Sequence, residues 1–154
     1  MRVELQNIVL IGLGTTVDME KLQARAESGE NIGMNISSNL LFPEPGRVEC
    51  RVTLETGPEA EAIRLRCTYQ GTFAFVAENE EVERELIENE QTRISAVCTA
   101  KMFPYLRELI VDVTRRLPMA APIMLHPALG DENALLNQAQ LQPPRFAEKE
   151  ETKQ

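Results

Sequence analysis

Three cysteines and a single histidine are the residues of this chain best suited to nucleophilic or metal chemistry. Cys50, Cys67, Cys98 and His126 form no pair at ligand spacing, so a metal site would need all four to converge from separate elements. Cys50 and Cys67 sit in alternating runs, on the apolar sides of two predicted strands, where a thiol packs as a small hydrophobe. Cys98 and His126 would need an acid or amide to orient the imidazole before they could act as nucleophile and base, and none is placed to do so. His126, between Leu125 and Pro127, reads as a loop residue. Gly12-Leu13-Gly14 starts like a dinucleotide fingerprint, but Val17 stands where the third glycine belongs and no suitable crossover helix follows. These glycines read as strand residues. The many glutamates fall on what should be an exposed helix, where carboxylates keep ordinary pKa values. No catalytic constellation emerges, and the expectation is a non-enzyme without cofactor or metal.

Composition narrows the alternatives. The chain has 154 residues, one domain's worth, enough to bury roughly two-thirds of its unfolded surface without a staple. Hydrophobic residues at 43% and charged residues at 26% give an ordinary globular balance. Aromatics are 5% with no Trp, which leaves little for base stacking, and 16 basic against 24 acidic residues give a net charge of -8. Such a surface repels a phosphate backbone, so nucleic acid is not an expected partner. The acidity is local: residues 78–90 hold seven Glu and one Arg, while the rest of the chain is nearly balanced. That segment reads as a solvated helix face, with a docking surface for a basic partner as the alternative. The apolar run from Ile8 to Leu13 is too short to span a bilayer, and it lacks a secretory cleavage pattern. With an odd number of cysteines and no C-x-x-C, the expected compartment is the reducing cytoplasm.

The elements follow from periodicity. Residues 3–17 read as a long strand with bend-permitting glycines, and 18–28 as a short helix. Ile32, Met34 and Ile36 alternate with polar residues as in a half-buried strand. Leu40-Leu41-Phe42 then run into Pro43 and the turn Pro45-Gly46. Val48, Cys50, Val52 and Leu54 oppose Glu49, Arg51, Thr53 and Glu55. After Gly57-Pro58, Ile63, Leu65, Cys67 and Tyr69 oppose Arg64, Arg66, Thr68 and Gln70, in a phase continuing to Phe73 and Phe75. This is an antiparallel hairpin with one apolar and one charged face. The second half is helical. Asn79 can cap the Glu-rich segment, residues 92–101 form a second helix, and Pro104 is placed to open a third over 104–117. That third helix carries a stripe of Leu106, Leu109, Ile110, Val113 and Leu117. Residues 118–127 form an apolar Pro/Met loop suited to varied partners, and a last helix spans about 129–141 behind Asp131. The domain is expected over 1–142, with a disordered tail over 143–154. The fold class is α+β: a four-stranded antiparallel sheet with helices on one face.

At Phe103-Pro104-Tyr105-Leu106-Arg107-Glu108 the chain resembles the SecB family of protein-export chaperones, in which a Phe-Pro-Tyr-x-Arg-Glu motif opens the long helix. The order of elements over residues 3–140 is similar as well, as are Gln70-Gly71 followed by Phe73 and, loosely, Pro127, Ala134 and Leu135. The resemblance implies an ATP-independent chaperone that binds unfolded polypeptides or preproteins and keeps them export-competent. It implies a homotetramer, a dimer of dimers, with Tyr105, Leu109 and Val113 at subunit contacts. It also implies a client groove walled by Leu41, Phe42, Phe73, Phe75, Met119, Ile123 and Met124, plain core packing being the competing role for each Phe.

One departure bears on partners. The family docks the export motor SecA through acids on the outer sheet face. By alignment through Gln70-Gly71 those positions fall on Cys67 and near Gly12 and Thr16, while Arg51, Arg64 and Arg66 occupy the neighbouring outer positions. SecA is therefore the weakest of the implied partners. The alternative is a SecB-like module dedicated to one partner, such as an antitoxin, without SecA docking.

Overall fold

Alternation decides the sheet. The computed structural model describes residues 1–28, 33–57, 62–117, 123–125 and 127–141. Strands β1 (Arg2–Val17), β2 (Met34–Glu44), β3 (Arg47–Thr56) and β4 (Ile63–Val76) form one sheet in the order β1-β4-β3-β2, every pair antiparallel. Val48, Cys50, Val52 and Leu54 of β3 are buried with Ile63, Leu65, Cys67, Phe73 and Phe75 of β4. Arg51, Glu55, Arg64 and Arg66 point to the other, open face. The turn between β2 and β3 needs Gly46, whose φ of 78° lies where a side chain is disfavoured. β1 pairs with β4 along its whole length, with register shifts at Leu5/Asn7 and Leu10/Gly12 that bend this edge strand.

Helix α1 (Met19–Ser28) is held by buried Leu22 and starts with Asp18 Oδ1 accepting the Lys21 N–H at 3.2 Å. The Glu-rich helix α2 (Glu80–Asn89) is capped as expected, with Asn79 accepting from Val82 N at 2.9 Å, and it buries no residue. The expectation of two further helices, one over 92–101 and another opened by Pro104, is corrected. A single helix α3 (Gln91–Arg115) runs through, with Pro104 in its interior. An interior proline removes one backbone hydrogen bond and costs about 3 kcal/mol. Ile94, Cys98, Met102, Leu106, Ile110 and Thr114 recur at every fourth residue, and all are buried. At roughly 1.5–3 kcal/mol for each large side chain, that continuous stripe outweighs the break. Pro104 itself is exposed, so its ring meets water and not the sheet.

α3 crosses every strand. Ser95 Oγ lies 2.6 Å from Ser38 Oγ of β2, and Cys98 touches Cys50 of β3. Met102 closes over Gly71 of β4, where an added Cβ would sit 2.8 Å from its sulfur, and Tyr105 shares a groove with Leu5 of β1. Beyond the helix, Thr114 Oγ1 donates to Ile110 O at 2.7 Å and accepts from Ile123 N at 2.8 Å, returning the chain to the core. A 3-10 turn at Pro127–Gly130 then packs on α3 beside Phe103. The last helix, α4 (Glu132–Leu141), starts three residues later than the expected 129, behind Asp131, whose Oδ2 accepts from Ala134 N at 3.2 Å. Among the described residues no helix is long and apolar enough to cross a membrane. Met119, His126 and the tail from Pro143 lie outside the described residues.

Met102 sits at the centre of the stripe, fully buried. Met102→Ala should lower unfolding free energy by about 2–5 kcal/mol in urea titration, whereas Asn79→Ala, losing only a helix cap, should cost about 1 kcal/mol. Comparable losses for the two would contradict this account of the core.

Candidate polypeptide-binding surface

The residues that could do chemistry are packed away. Cys50, Cys67 and Cys98 are free thiols with no measurable exposure. Burial pushes the Cys67 thiol up to about 11, against a weaker opposing hydrogen bond from the Leu54 backbone. Cys98 is raised further, first by its hydrogen bond to the Cys50 thiol and then by burial. Thiols held protonated in this way are poor nucleophiles and poor ligands. Among the described residues no group of three His, Cys, Asp or Glu could hold a metal ion.

What the fold presents instead is apolar surface. β1 is an edge strand, and α3 covers only its first residues. Leu10 and Leu13 point to the same side as Tyr69 and Cys67, which is elsewhere the core, yet they remain 39% and 48% exposed. Val9, paired with Gln70, faces the open side, and Ile11 stands at the second register shift, both exposed. No charged residue occurs between Glu4 and Asp18. The ledge continues onto α3 through a shallow groove of about 490 Å³ lined by Leu5, Lys101, Pro104, Tyr105 and Glu108. Here partial burial, Cys67 and the Glu108 carboxylate raise the pKa of the Tyr69 phenol, marking how close the helix passes.

The expected groove residues do not form one wall. Phe73 and Phe75 are sealed in the core beneath α3, because their alternation places them on the helix-covered side of β4. For these two, core packing replaces the expected groove role. Leu41 pairs with Glu49 on the open face and is exposed, whereas its neighbour Phe42 is half-buried against the core. Ile123 is half-buried against the core near the end of α3, and Met124 beside it is 61% exposed. Of the expected contact residues, Tyr105 is exposed on the groove, while Leu109 and Val113 are half-buried along the same helix. The β1 ledge was not among the expected site residues. Its signal was the unbroken run Ile8 to Leu13, where a half-buried edge strand should alternate.

Neither a family model nor a curated relative matches the sequence. Among solved structures, a SecB-like chaperone of Mycobacterium tuberculosis, in complex with a peptide from an antitoxin, matches at a TM-score of 0.55 and 16% identity, covering 81% of this chain and 90% of that one. The fold is SecB-like. A protein of unknown function from Streptococcus agalactiae covers 82% of this chain and 98% of its own at 12% identity, but its TM-score of 0.44 is too loose to argue from.

On this SecB-like sheet Cys67, Gly12 and Thr16, at or near which the resemblance leads one to expect acids for docking, carry no charge. Cys67 faces the core, and Gly12 and Thr16 lie on the open face opposite Thr68 and Arg64. The motif Phe103 to Glu108 lies in mid-helix: Phe103 and Leu106 face inward, and Pro104, Tyr105 and Glu108 line the groove.

The raised thiols have a measurable consequence. A folded-state pKa above the unfolded one gives stability that is complete below the ordinary value of 9.0 and is lost as pH climbs toward about 11. At pH 8 the native protein should therefore react with a thiol-specific disulfide reagent far more slowly than the urea-unfolded chain, and its melting temperature should fall between pH 9 and 11. Rapid native labelling would show that these thiols are not buried as described.

Proposed function

We propose that this protein is an ATP-independent, polypeptide-binding chaperone of the SecB type, working in the cytoplasm. The observation that carries the reading is the exposed, uncharged β1 ledge and its extension along the Tyr105 groove, on a fold shared with a SecB-like chaperone. Monomers seldom leave a broad apolar area uncovered without a partner for it. Extended clients lose conformational entropy on binding, so affinity must come from wide apolar contact together with backbone pairing. β1 supplies both, since it pairs on one side only and carries large apolar side chains along its far half. The same features suit assembly into a homotetramer, a dimer of dimers, in which several short surfaces add avidity. Keeping preproteins export-competent is one use of such a holdase. The second reading, dedication to one partner, is favoured by the antitoxin peptide bound to the similar chaperone and by the absence of charge at Cys67, Gly12 and Thr16, where acids for SecA docking were expected.

Without nucleotide, several-fold excess protein should suppress aggregation of a chemically unfolded client. The double change Leu10→Ser and Leu13→Ser removes two apolar contacts and should weaken client binding at least about tenfold. Met124→Ser should weaken it less, with circular dichroism unchanged in both. No protection by the wild type would remove the holdase reading and leave the single-partner module.

Assembly is tested separately. Tyr105→Asp, placing a charge in the groove beside Glu108, should lower the native mass measured by light scattering. A wild type already monomeric at micromolar concentration would contradict the oligomer.

A further inference from the structure

The open face of the sheet is charged in a sense opposite to the chain as a whole. Its side chains include Arg2, Arg47, Arg51, Arg64 and Arg66 against Glu4, Glu44, Glu49 and Glu55, on a protein of net charge -8. The four carboxylates are already engaged. Glu4 pairs with Arg2, Glu44 and Glu49 with Arg47 at 3.4 and 3.1 Å, and Glu55 with Arg66 at 3.9 Å. Among the described residues Arg51 meets only the neutral Gln70 amide, at 3.0 Å. Arg64 stands opposite Thr16, and among the described residues no acid is paired with it. The pair at Arg66 is long and exposed, so it yields readily to a better-placed carboxylate.

Next to these arginines the surface is low and open. Gly14 lies opposite Arg66 and Gly12 opposite Thr68, and a Cβ built on Gly14 would meet nothing within 4 Å. A second backbone can therefore approach the sheet here, flanked by exposed Val9. The acidity of the chain lies elsewhere, in α2, which packs on α3 at the covered side. With a screening length of about 8 Å at physiological ionic strength, a short ligand on the open face responds to the local arginines and not to the net charge.

We propose that this open face docks an acidic polypeptide segment in extended conformation, its carboxylates meeting Arg64, Arg66 and Arg51 and its backbone lying over Gly12 and Gly14. Alternate residues of a strand are about 6.8 Å apart, which matches the spacing of Arg64 and Arg66 on β4. Arg51 lies on the adjacent strand, opposite Gln70, four residues further along. About eight residues with alternate acids span the set. This site is distinct from the apolar ledge and does not depend on client binding there.

The test uses a fluorescently labelled alternating Glu-Ser octapeptide, with a Gln-Ser octapeptide and an eight-nucleotide oligothymidylate as comparisons. Fluorescence anisotropy at low salt should show the Glu-Ser peptide binding well above the Gln-Ser peptide, and losing affinity as salt rises. Arg64→Glu with Arg66→Glu should weaken it about tenfold or more, while Arg64→Lys with Arg66→Lys should largely retain it. These side chains are exposed, so circular dichroism and suppression of client aggregation should be unchanged. Equal binding of the Glu-Ser and Gln-Ser peptides, insensitivity to the Arg→Glu changes, or tighter binding of the oligothymidylate would each overturn the proposal. Loss of client protection in the wild type would leave it standing.

Discussion

The stripe Ile94, Cys98, Met102, Leu106 and Ile110, laid across all four strands, is the contact on which this molecule depends. A single helix cannot cover a sheet whose edge strand is 16 residues long. Where α3 passes, residues at the pleat are sealed, as at Val52 and Phe73. Away from it, residues on the same face of the neighbouring strand, Leu10 and Leu13, remain half in water. The apolar ledge is thus a geometric remainder of the core. It arises because the helix runs diagonally, from Ser38 on β2 to Leu5 on β1, and leaves the far half of β1 behind.

That remainder makes a demand on the protein. Edge strands are ordinarily protected by charge, proline or brevity. β1 has no charge between Glu4 and Asp18, no proline, and a length well above the usual strand, so only its glycines and register shifts disturb a template for pairing. Such an edge is tolerable in solution when another chain covers it, whether a second copy or a client. The proposed holdase action and self-assembly would then draw on one physical cause, and competition between them would regulate access to the ledge.

Much of this was legible in the residues. The β3–β4 hairpin, the Asn79 and Asp131 caps and the uncovered character of α2 follow from alternation and side-chain chemistry that act within a few residues. Pro104 points to a helix start because local propensity favours proline in a first turn, whereas the four-residue recurrence from Ile94 to Thr114 is a tertiary quantity that decides only against the sheet. Parity along β4 already put Phe73 and Phe75 on the buried side, and parity along β2 parted Leu41 from Phe42. Grouping them by resemblance into one groove set that signal aside. The ledge was the least legible part, since the run Ile8 to Leu13 looks the same in a buried strand and in one left bare by the path of a distant helix.

The two surfaces divide the chemistry of the molecule between them. On the helix side lie the ledge, the groove and the acids of α2. On the open side lie an arginine excess and backbone free of side chains at Gly12 and Gly14. An extended client rich in apolar residues gains nothing from the second surface, and an acidic segment is repelled from the side that carries α2. One chain carrying both features could therefore occupy both surfaces only by passing around the β1 edge, where the strand is bent by its register shifts. The sheet's edge would separate the two proposed binding modes in space. A neighbouring subunit paired along β1 would close the path between them while leaving Arg51, Arg64 and Arg66 exposed.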